Sequence, residues 1–170
     1  ICSGLVGSEM CIRDRLDAWL EAGFNRLSVG IQSFDDKTLG WMNRAHSGLE
    51  AEQGILRARA AGFDTITVDL IYGVPTGRQW QDDVERALDL PVRHLSAYAL
   101  TVEPQTVLGA RVARGEVTPP PDERTVQEYH HLCTIMADRG WSHYETSNWA
   151  APRSDEGHWK AIHNLSLIHI

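Results

Sequence analysis

Three polar side chains stand at or near positions where predicted strands end. Gln32 lies near the end of the alternating run 26–34, RLSVGIQSF, and Asp69 lies inside a second alternating run, 64–72. Arg44 follows the first run in the segment WMNRAH. A carboxylate inside a strand is costly to bury without partners. Asp69 therefore indicates either a binding site or a structural ion pair with an arginine or lysine.

The elements that position these residues alternate between helix and strand. Apolar spacing predicts helices at 16–22, 48–61 and around 80–88, and strands at 26–34, 64–72 and 94–101. The triplet Ala-Gly-Phe occurs at 22–24 and again at 61–63, each time between a helix and a strand. Strands joined by helical crossovers are parallel, so we expect a doubly wound sheet or a (β/α) barrel.

The polar residues of the first two strands favour a barrel. A parallel strand that is buried on both faces normally reads as a continuous apolar run. Here one face carries polar residues or glycine, and helices would cover only the apolar side. The residues of the polar face are Ser28, Gly30, Gln32, Thr65, Thr67 and Asp69. We expect this face to line a lumen that holds a ligand.

The second half of the chain predicts a spacer, a helix and a strand. TPPP at 118–121 is a stiff spacer, and a helix runs from Asp122 to a stop at Gly140. One face of this helix is predicted to carry Val126, Tyr129, Cys133 and Met136, with Cys133 in the core. Residues 141–150 predict one further strand. The histidines, including the pair at 130–131, lack H-x-x-x-H or H-E-x-x-H spacing, so we expect no histidine metal site.

The composition argues against several classes of protein. The net charge of −7 without a basic block argues against nucleic-acid binding. No apolar run approaches the ~20 residues of a membrane span, so no transmembrane segment is predicted. The three cysteines do not form a disulfide framework. We therefore expect a cytoplasmic protein.

The two ends differ in character from the rest of the chain. Residues 1–13 include VGSEMCIRDR, which resembles translated sequencing-adapter sequence, and 166–170, SLIHI, has the same look. We expect both to be artefacts, the alternative being irregular natural termini. The remaining chain divides into a barrel part, 14–117, and an extension of helix and strand, 118–165.

Four segments together carry a family resemblance: GIQSFDDKTLGWMNRAH, DLIYGVP, LSAYALTVEPQT and HYETSNWA. In this order they resemble the radical S-adenosylmethionine (SAM) family of oxygen-independent coproporphyrinogen-III oxidase. The TVEP segment and the pair His163-Asn164, which looks like the start of an H-N-x-x-Y-W motif, favour the heme-chaperone branch of that family. SLIHI stands where the tyrosine and tryptophan of this motif would follow.

The resemblance implies a fold, cofactors and site residues. The expected fold is α/β, a fragment of a partial (β/α)6 TIM-like barrel followed by a helix and a short C-terminal extension. Gln32, Arg44, Asp69 and Thr101 match the family's SAM contacts. Arginine can bind the SAM carboxylate in a bidentate pair, and Gln32 and Asp69 can bind ribose hydroxyls. His163 and Asn164 form a weaker, heme-associated motif.

The family's [4Fe–4S] cluster is held by a C-x-x-x-C-x-x-C loop. Cys2 and Cys11 do not have that spacing. The resemblance therefore implies that the cluster ligands lie outside the sequence, and that it does not by itself generate a radical.

Three functions remain open at this point. The resemblance implies a SAM- and [4Fe–4S]-dependent heme chaperone, with heme and acceptor hemoproteins as partners. Its alternative is oxygen-independent coproporphyrinogen III oxidase, which decarboxylates its substrate. Outside the family, a cluster-free aldolase-like barrel enzyme would use Asp69 as a general base, although the sequence offers no strand-borne lysine, since Lys37 and Lys160 fall in predicted loops.

Overall fold

The computed structural model describes residues 9–152, with side chains from residue 14 onward. His163, Asn164 and the terminal segment 166–170 lie outside the described residues. Within the described part the elements follow the chain in this order: α1 (Glu9–Glu21), β1 (Arg26–Gln32), α2 (Asp36–Trp41), α3 (Gly48–Ala61), β2 (Thr65–Tyr72), α4 (Trp80–Asp89), β3 (His94–Ala99), α5 (Val107–Ala113), α6 (Asp122–Asp138), β4 (Ser142–Glu145) and β5 (Asn148–Ala150).

The strands form one mixed sheet with the order β1-β2-β3-β5-β4. The pairs β1–β2 and β2–β3 are parallel, as predicted. The single strand predicted at 141–150 is wrong, because a turn at Thr146 and Ser147 divides it into an antiparallel hairpin. Strand β5 of this hairpin pairs antiparallel with β3. The hairpin thus extends the parallel sheet at its β3 edge.

The core lies between the helices and one face of the sheet. Alternate strand residues face this core and are buried: Leu27, Val29, Ile31, Ile66, Val68, Leu70, Leu95, Ala97 and Trp149. The helices contribute buried residues such as Leu16, Ile55, Val84 and Met136 to the same cluster. Each such side chain stabilises the fold by about 1.5–3 kcal/mol when fully buried. The prediction that helices cover the apolar side is confirmed.

Helix α6 packs against the core with most of the face that its apolar spacing predicts, because Met136 is buried and Tyr129 and Cys133 are partly buried against the core. The exception on this face is Val126. Val126 is 52% exposed, whereas Glu128, Leu132 and Met136 are buried. Cys133 is half-buried and packs against the core. The Glu128 carboxylate accepts a hydrogen bond from the Gly73 backbone N–H at 2.7 Å, which ties the first half of the helix to the end of β2.

A buried ion pair joins the ends of two strands to helix α4. Arg78 donates to the carboxylate of Asp83 at 2.5 Å, and their side chains are 1% and 4% exposed. Asp83 also accepts hydrogen bonds from the Ser33 hydroxyl at 2.8 Å and the Phe34 N–H at 2.7 Å. Arg78 donates in addition to the Ile71 carbonyl. The pair therefore fixes the carboxyl ends of β1 and β2 relative to each other.

We predict that Asp83→Ala lowers the free energy of unfolding by about 3–5 kcal/mol, because it leaves a buried guanidinium and two donors without their acceptor. Asp89→Ala is the matched control, since Asp89 lies on the same helix with a side chain that is 75% exposed. Urea unfolding followed by circular dichroism measures both. A loss for Asp83→Ala as small as the control's would contradict the role given to this pair.

Candidate functional site

The face of the sheet opposite the helices carries a row of polar residues that runs across four strands. Gly30, Asp69, Ser96 and Asn148 are neighbours in the register of β1, β2, β3 and β5. The Ser28 hydroxyl donates to Asp69 Oδ2 at 3.4 Å, and the Ser96 hydroxyl donates to Asn148 Oδ1 at 2.9 Å. The polar face predicted from the alternation of β1 and β2 thus continues into β3 and the hairpin.

Asp69 is a partly buried carboxylate with weak compensation. Burial raises its pKa above the ordinary aspartate value of 3.8, while hydrogen bonds from Ser96 and Ser28 act in the opposite direction. Among the described residues no arginine or lysine lies within ion-pair distance of it. The alternative of a structural ion pair therefore finds no partner in that part of the chain. Its free lone pairs can accept hydrogen bonds from a ligand.

One residue predicted on the open polar face is instead enclosed. Thr67 is fully buried, and its hydroxyl has no hydrogen-bond partner among the residues described. It lies on the interior strand β2 between Ser28 and His94, and the ring of His94 is itself packed against Tyr144. The expectation that Thr67 lines an accessible lumen is therefore wrong.

Gln32 adopts an unusual backbone conformation that places its amide beside Asp69. Its φ is +72°, and the register of β1 shifts between Gly30 and Gln32. The side chain folds back over Gly30, where an added Cβ would lie 2.6 Å from Gln32 Nε2. Because Gly30 is the registered neighbour of Asp69, the amide covers the strand position next to Asp69. A positive φ at a residue other than glycine is typical of functional sites.

Arg44 lies in an adjoining hollow. It is exposed, in the segment that follows α2. The hollow has a volume of about 630 Å³ and is lined by Gly40, Trp41, Met42, Asn43, Arg44, Ile71, Leu100, Val107, Leu108 and Arg111. Ile71 follows Asp69 by two residues, so it lies on the same face of β2 about 7 Å farther along. The hollow thus begins next to Asp69, without including Asp69 or Gln32 in its lining.

Thr101 does not join this group. It is exposed and lies beyond the end of β3, where its hydroxyl donates to the Ala99 carbonyl at 3.4 Å. The structure therefore brings Gln32 and Asp69 together, places Arg44 in the adjoining hollow, and leaves Thr101 outside both.

The sequence reasoning missed the helices α2 and α5, which form the two sides of the hollow. Helices of six and seven residues are too short to show a clear apolar period. The available signal is their N-caps: Asp35 accepts from the Thr38 N–H at 2.7 Å, and Thr106 accepts from the Gly109 N–H at 3.0 Å. Arg111 on α5 was missed with its helix.

Residues 14–152 contain no group of three histidine, cysteine, aspartate or glutamate side chains arranged to hold a metal ion. Several of the described histidines have other contacts. His46 is hydrogen-bonded to the Ile31 carbonyl at 3.1 Å, and His143 stacks on Trp149 with ring centroids 4.5 Å apart. We assign no cluster ligand to these residues. In the same part of the chain no helix is long and apolar enough to cross a membrane.

Comparison with known proteins supplies the family. Residues 1–88 match the model of the Radical SAM superfamily. The chain is 34% identical over 140 residues to "Heme chaperone HemW" of Lactococcus lactis subsp. lactis (strain IL1403), which covers 81% of this chain and 37% of that protein. It is 38% identical over 146 residues to the protein of the same name from Mycobacterium tuberculosis (strain ATCC 25618 / H37Rv), with the same coverage. The chain thus spans less than two fifths of the length of these relatives.

A solved structure supports the fold. Coproporphyrinogen III oxidase (HemN) from Escherichia coli, a radical SAM enzyme, superposes with a TM-score of 0.70 at 23% identity, over 84% of this chain and 33% of that chain. The α/β sheet described above is therefore part of a radical SAM barrel, as expected. Since the family model matches more than half of the residues, the chain belongs to the radical SAM superfamily, and curated proteins that it resembles within that family are named heme chaperones.

Proposed function

We propose that this chain forms the SAM-binding part of a heme chaperone, which depends on SAM and a [4Fe–4S] cluster and delivers heme to acceptor hemoproteins. The observation that carries the proposal is the polar pair Gln32–Asp69 beside a hollow that contains Arg44. The relatives named as heme chaperones support the assignment across 81% of the chain. A cytoplasmic location remains a prediction from the sequence.

The chemistry of SAM fits these residues. SAM offers ribose hydroxyls that need acceptors and a carboxylate that needs a cation. Asp69 has lone pairs that no cation of the described chain uses, and the Gln32 amide lies next to it. Arg44 makes no ion pair with a described residue. A SAM molecule with its ribose at Asp69 would extend past Ile71 and place its carboxylate at Arg44. In this arrangement Thr101 could contact SAM only at the edge of the hollow.

The cluster and SAM, when bound, supply one-electron chemistry at the sulfonium. The described residues hold no cluster ligands, so the roles assigned to this chain are binding and orientation. Asp69 and Gln32 fix the ribose, and Arg44 fixes the carboxylate. The radical SAM assignment removes the reason for a cluster-free aldolase, and Lys37 lies exposed on α2 rather than on a strand.

Arg44→Gln should weaken SAM binding by about 1.5–3 kcal/mol, the range for a hydrogen bond to a charged group. Arg139→Gln is the control, because Arg139 is a half-exposed arginine at the end of α6 with only a 3.8 Å contact to Asp89. Isothermal titration of the purified protein with SAM measures both affinities. Equal affinities for the two variants would remove Arg44 from the site.

Asp69→Asn should raise the free energy of unfolding at pH 7 and weaken SAM binding. With a raised pKa, the folded state binds the Asp69 proton more tightly than the unfolded chain does. The stability that this provides is present at low pH and is lost as the pH rises through 3.8 and then through the raised pKa. The asparagine side chain carries no charge, so the variant should have a higher free energy of unfolding than the wild type at pH 7 but not at pH 3, while SAM binding weakens about tenfold.

Urea unfolding at the two pH values measures the stability difference, with Asp89→Asn as the exposed control. A gain of the same size at pH 3 and pH 7 would show that the buried charge is not its cause. Unchanged SAM affinity would exclude Asp69 from the ribose contact.

Two parallel incubations distinguish the chaperone from the oxidase. A longer form of the protein that carries the [4Fe–4S] ligands, with its cluster reconstituted, is mixed anaerobically with coproporphyrinogen III, SAM and a reductant, and in a parallel sample with heme. We expect a stable heme absorbance band and no CO2 release above a heat-denatured control. Stoichiometric CO2 would refute the chaperone proposal in favour of the oxidase, whose solved structure shares the fold but at an identity too low to indicate function.

A further inference from the structure

The part of the hollow formed by α5 has features that SAM binding does not use. Leu100, Val107 and Leu108 line it with apolar surface, and Arg111 adds a second guanidinium to that of Arg44. Val107 is 80% exposed, more than any other large apolar side chain of the described chain. An exposed apolar side chain next to a cation is typical of a site for an amphipathic ligand.

The α5 wall is held in place before any ligand arrives. The Thr106 hydroxyl caps the helix by accepting from the Gly109 N–H at 3.0 Å. Gly109 packs so closely on the preceding segment that a Cβ would lie 2.1 Å from the Glu103 carbonyl oxygen. A side chain at this position would push the helix away. The wall is therefore preorganised, which lowers the entropic cost of binding.

Arg111 is only loosely engaged by its neighbours. Its Nε lies 3.6 Å from Glu116, while Arg114 makes two hydrogen bonds to the same carboxylate. Arg111 makes no other ion pair with a described residue, so its terminal nitrogens can bind an incoming anion. In an acidic protein with a net charge of −7, two arginines that line one hollow favour an anionic ligand.

We propose that Arg111 and the apolar wall of α5 form a heme subsite next to the SAM site. The inference rests on the proposed heme-chaperone function. Heme combines a flat apolar macrocycle with two propionate carboxylates, which matches an apolar wall that ends in a guanidinium. Val107 and Leu108 contact the macrocycle, and Arg111 pairs with a propionate. The volume of about 630 Å³ falls within the range of small-molecule sites.

The test is a heme titration of the purified protein, followed by absorbance, for the wild type and three variants. Arg111→Gln should weaken heme binding about 5- to 10-fold by removing one charge-assisted pair. Arg114→Gln is the matched control, since it removes the same charge from the same carboxylate partner but does not line the hollow. SAM affinity should be unchanged in both variants.

Val107→Asp places a carboxylate against the apolar wall and should weaken heme binding at least about tenfold. An aspartate is favourable at the first position of a helix, so α5 should remain folded. Heme affinity that is equal in Arg111→Gln, Arg114→Gln and the wild type overturns the subsite alone. A wild-type protein that binds no heme overturns the proposed function together with the subsite.

A third outcome is a lower melting temperature for Val107→Asp with unchanged heme affinity. This would show that another segment of the protein covers the α5 wall of the hollow, and it would also overturn the subsite.

Discussion

The carboxylate of Asp83 is the interaction on which the geometry of the site depends. It receives Arg78 and two donors from the end of β1, and Arg78 in turn holds the end of β2. The Ser33 hydroxyl also accepts from the Asp35 N–H at 3.1 Å, and Asp35 caps α2. Since α2 leads directly to Arg44, one buried charge connects the two strands that carry Gln32 and Asp69 with the helix that delivers Arg44. A shift of this pair would move all three together.

Asp83 and Asp69 are both partly or fully removed from water, and their carboxylates have different numbers of partners. Asp83 has a cation and two further hydrogen bonds as partners, although burial still raises its pKa above the ordinary value of 3.8. Asp69 has only the hydroxyls of Ser28 and Ser96, so its charge lowers stability. A fold that retains an undercompensated carboxylate at the centre of its polar face supplies a group ready to accept hydrogen bonds from outside. The difference in partners is consistent with a structural role for Asp83 and with the binding role proposed for Asp69.

Much of the framework follows from the order of the residues. Strict alternation in β1 and β2 predicts both their location and the face that turns to the core, because a period of two leaves no other register. The polar face of β1 and β2 follows from the same period, whereas the position of the Gln32 amide depends on the register shift between Gly30 and Gln32, which the period does not predict. The hairpin was missed because its turn carries no glycine or proline. The helices α2 and α5 were missed because six or seven residues cannot show a period of 3.6.

Helix α6 shows why other contacts of the fold could not be predicted from the sequence. Apolar spacing correctly turns Tyr129, Cys133 and Met136 toward the core, but it also predicts Val126 there. It gives no sign that Glu128 accepts a hydrogen bond from a backbone N–H 55 residues away. Contacts of this kind depend on where distant segments meet, and no local window contains them. The same holds for Thr67, which is fully buried beside His94 of the neighbouring strand β3.

Because Gln32 folds back over Gly30, substitutions at positions 30 and 32 should be coupled. The space that a side chain at position 30 would occupy is already filled by the amide two residues later. Any natural variant with a larger residue at 30 must therefore shorten or redirect the residue at 32, and a variant that loses the amide at 32 is free to fill position 30. Position 30 is glycine because the Gln32 side chain fills the space that a larger residue would need. The two positions should therefore change together among proteins that share this strand.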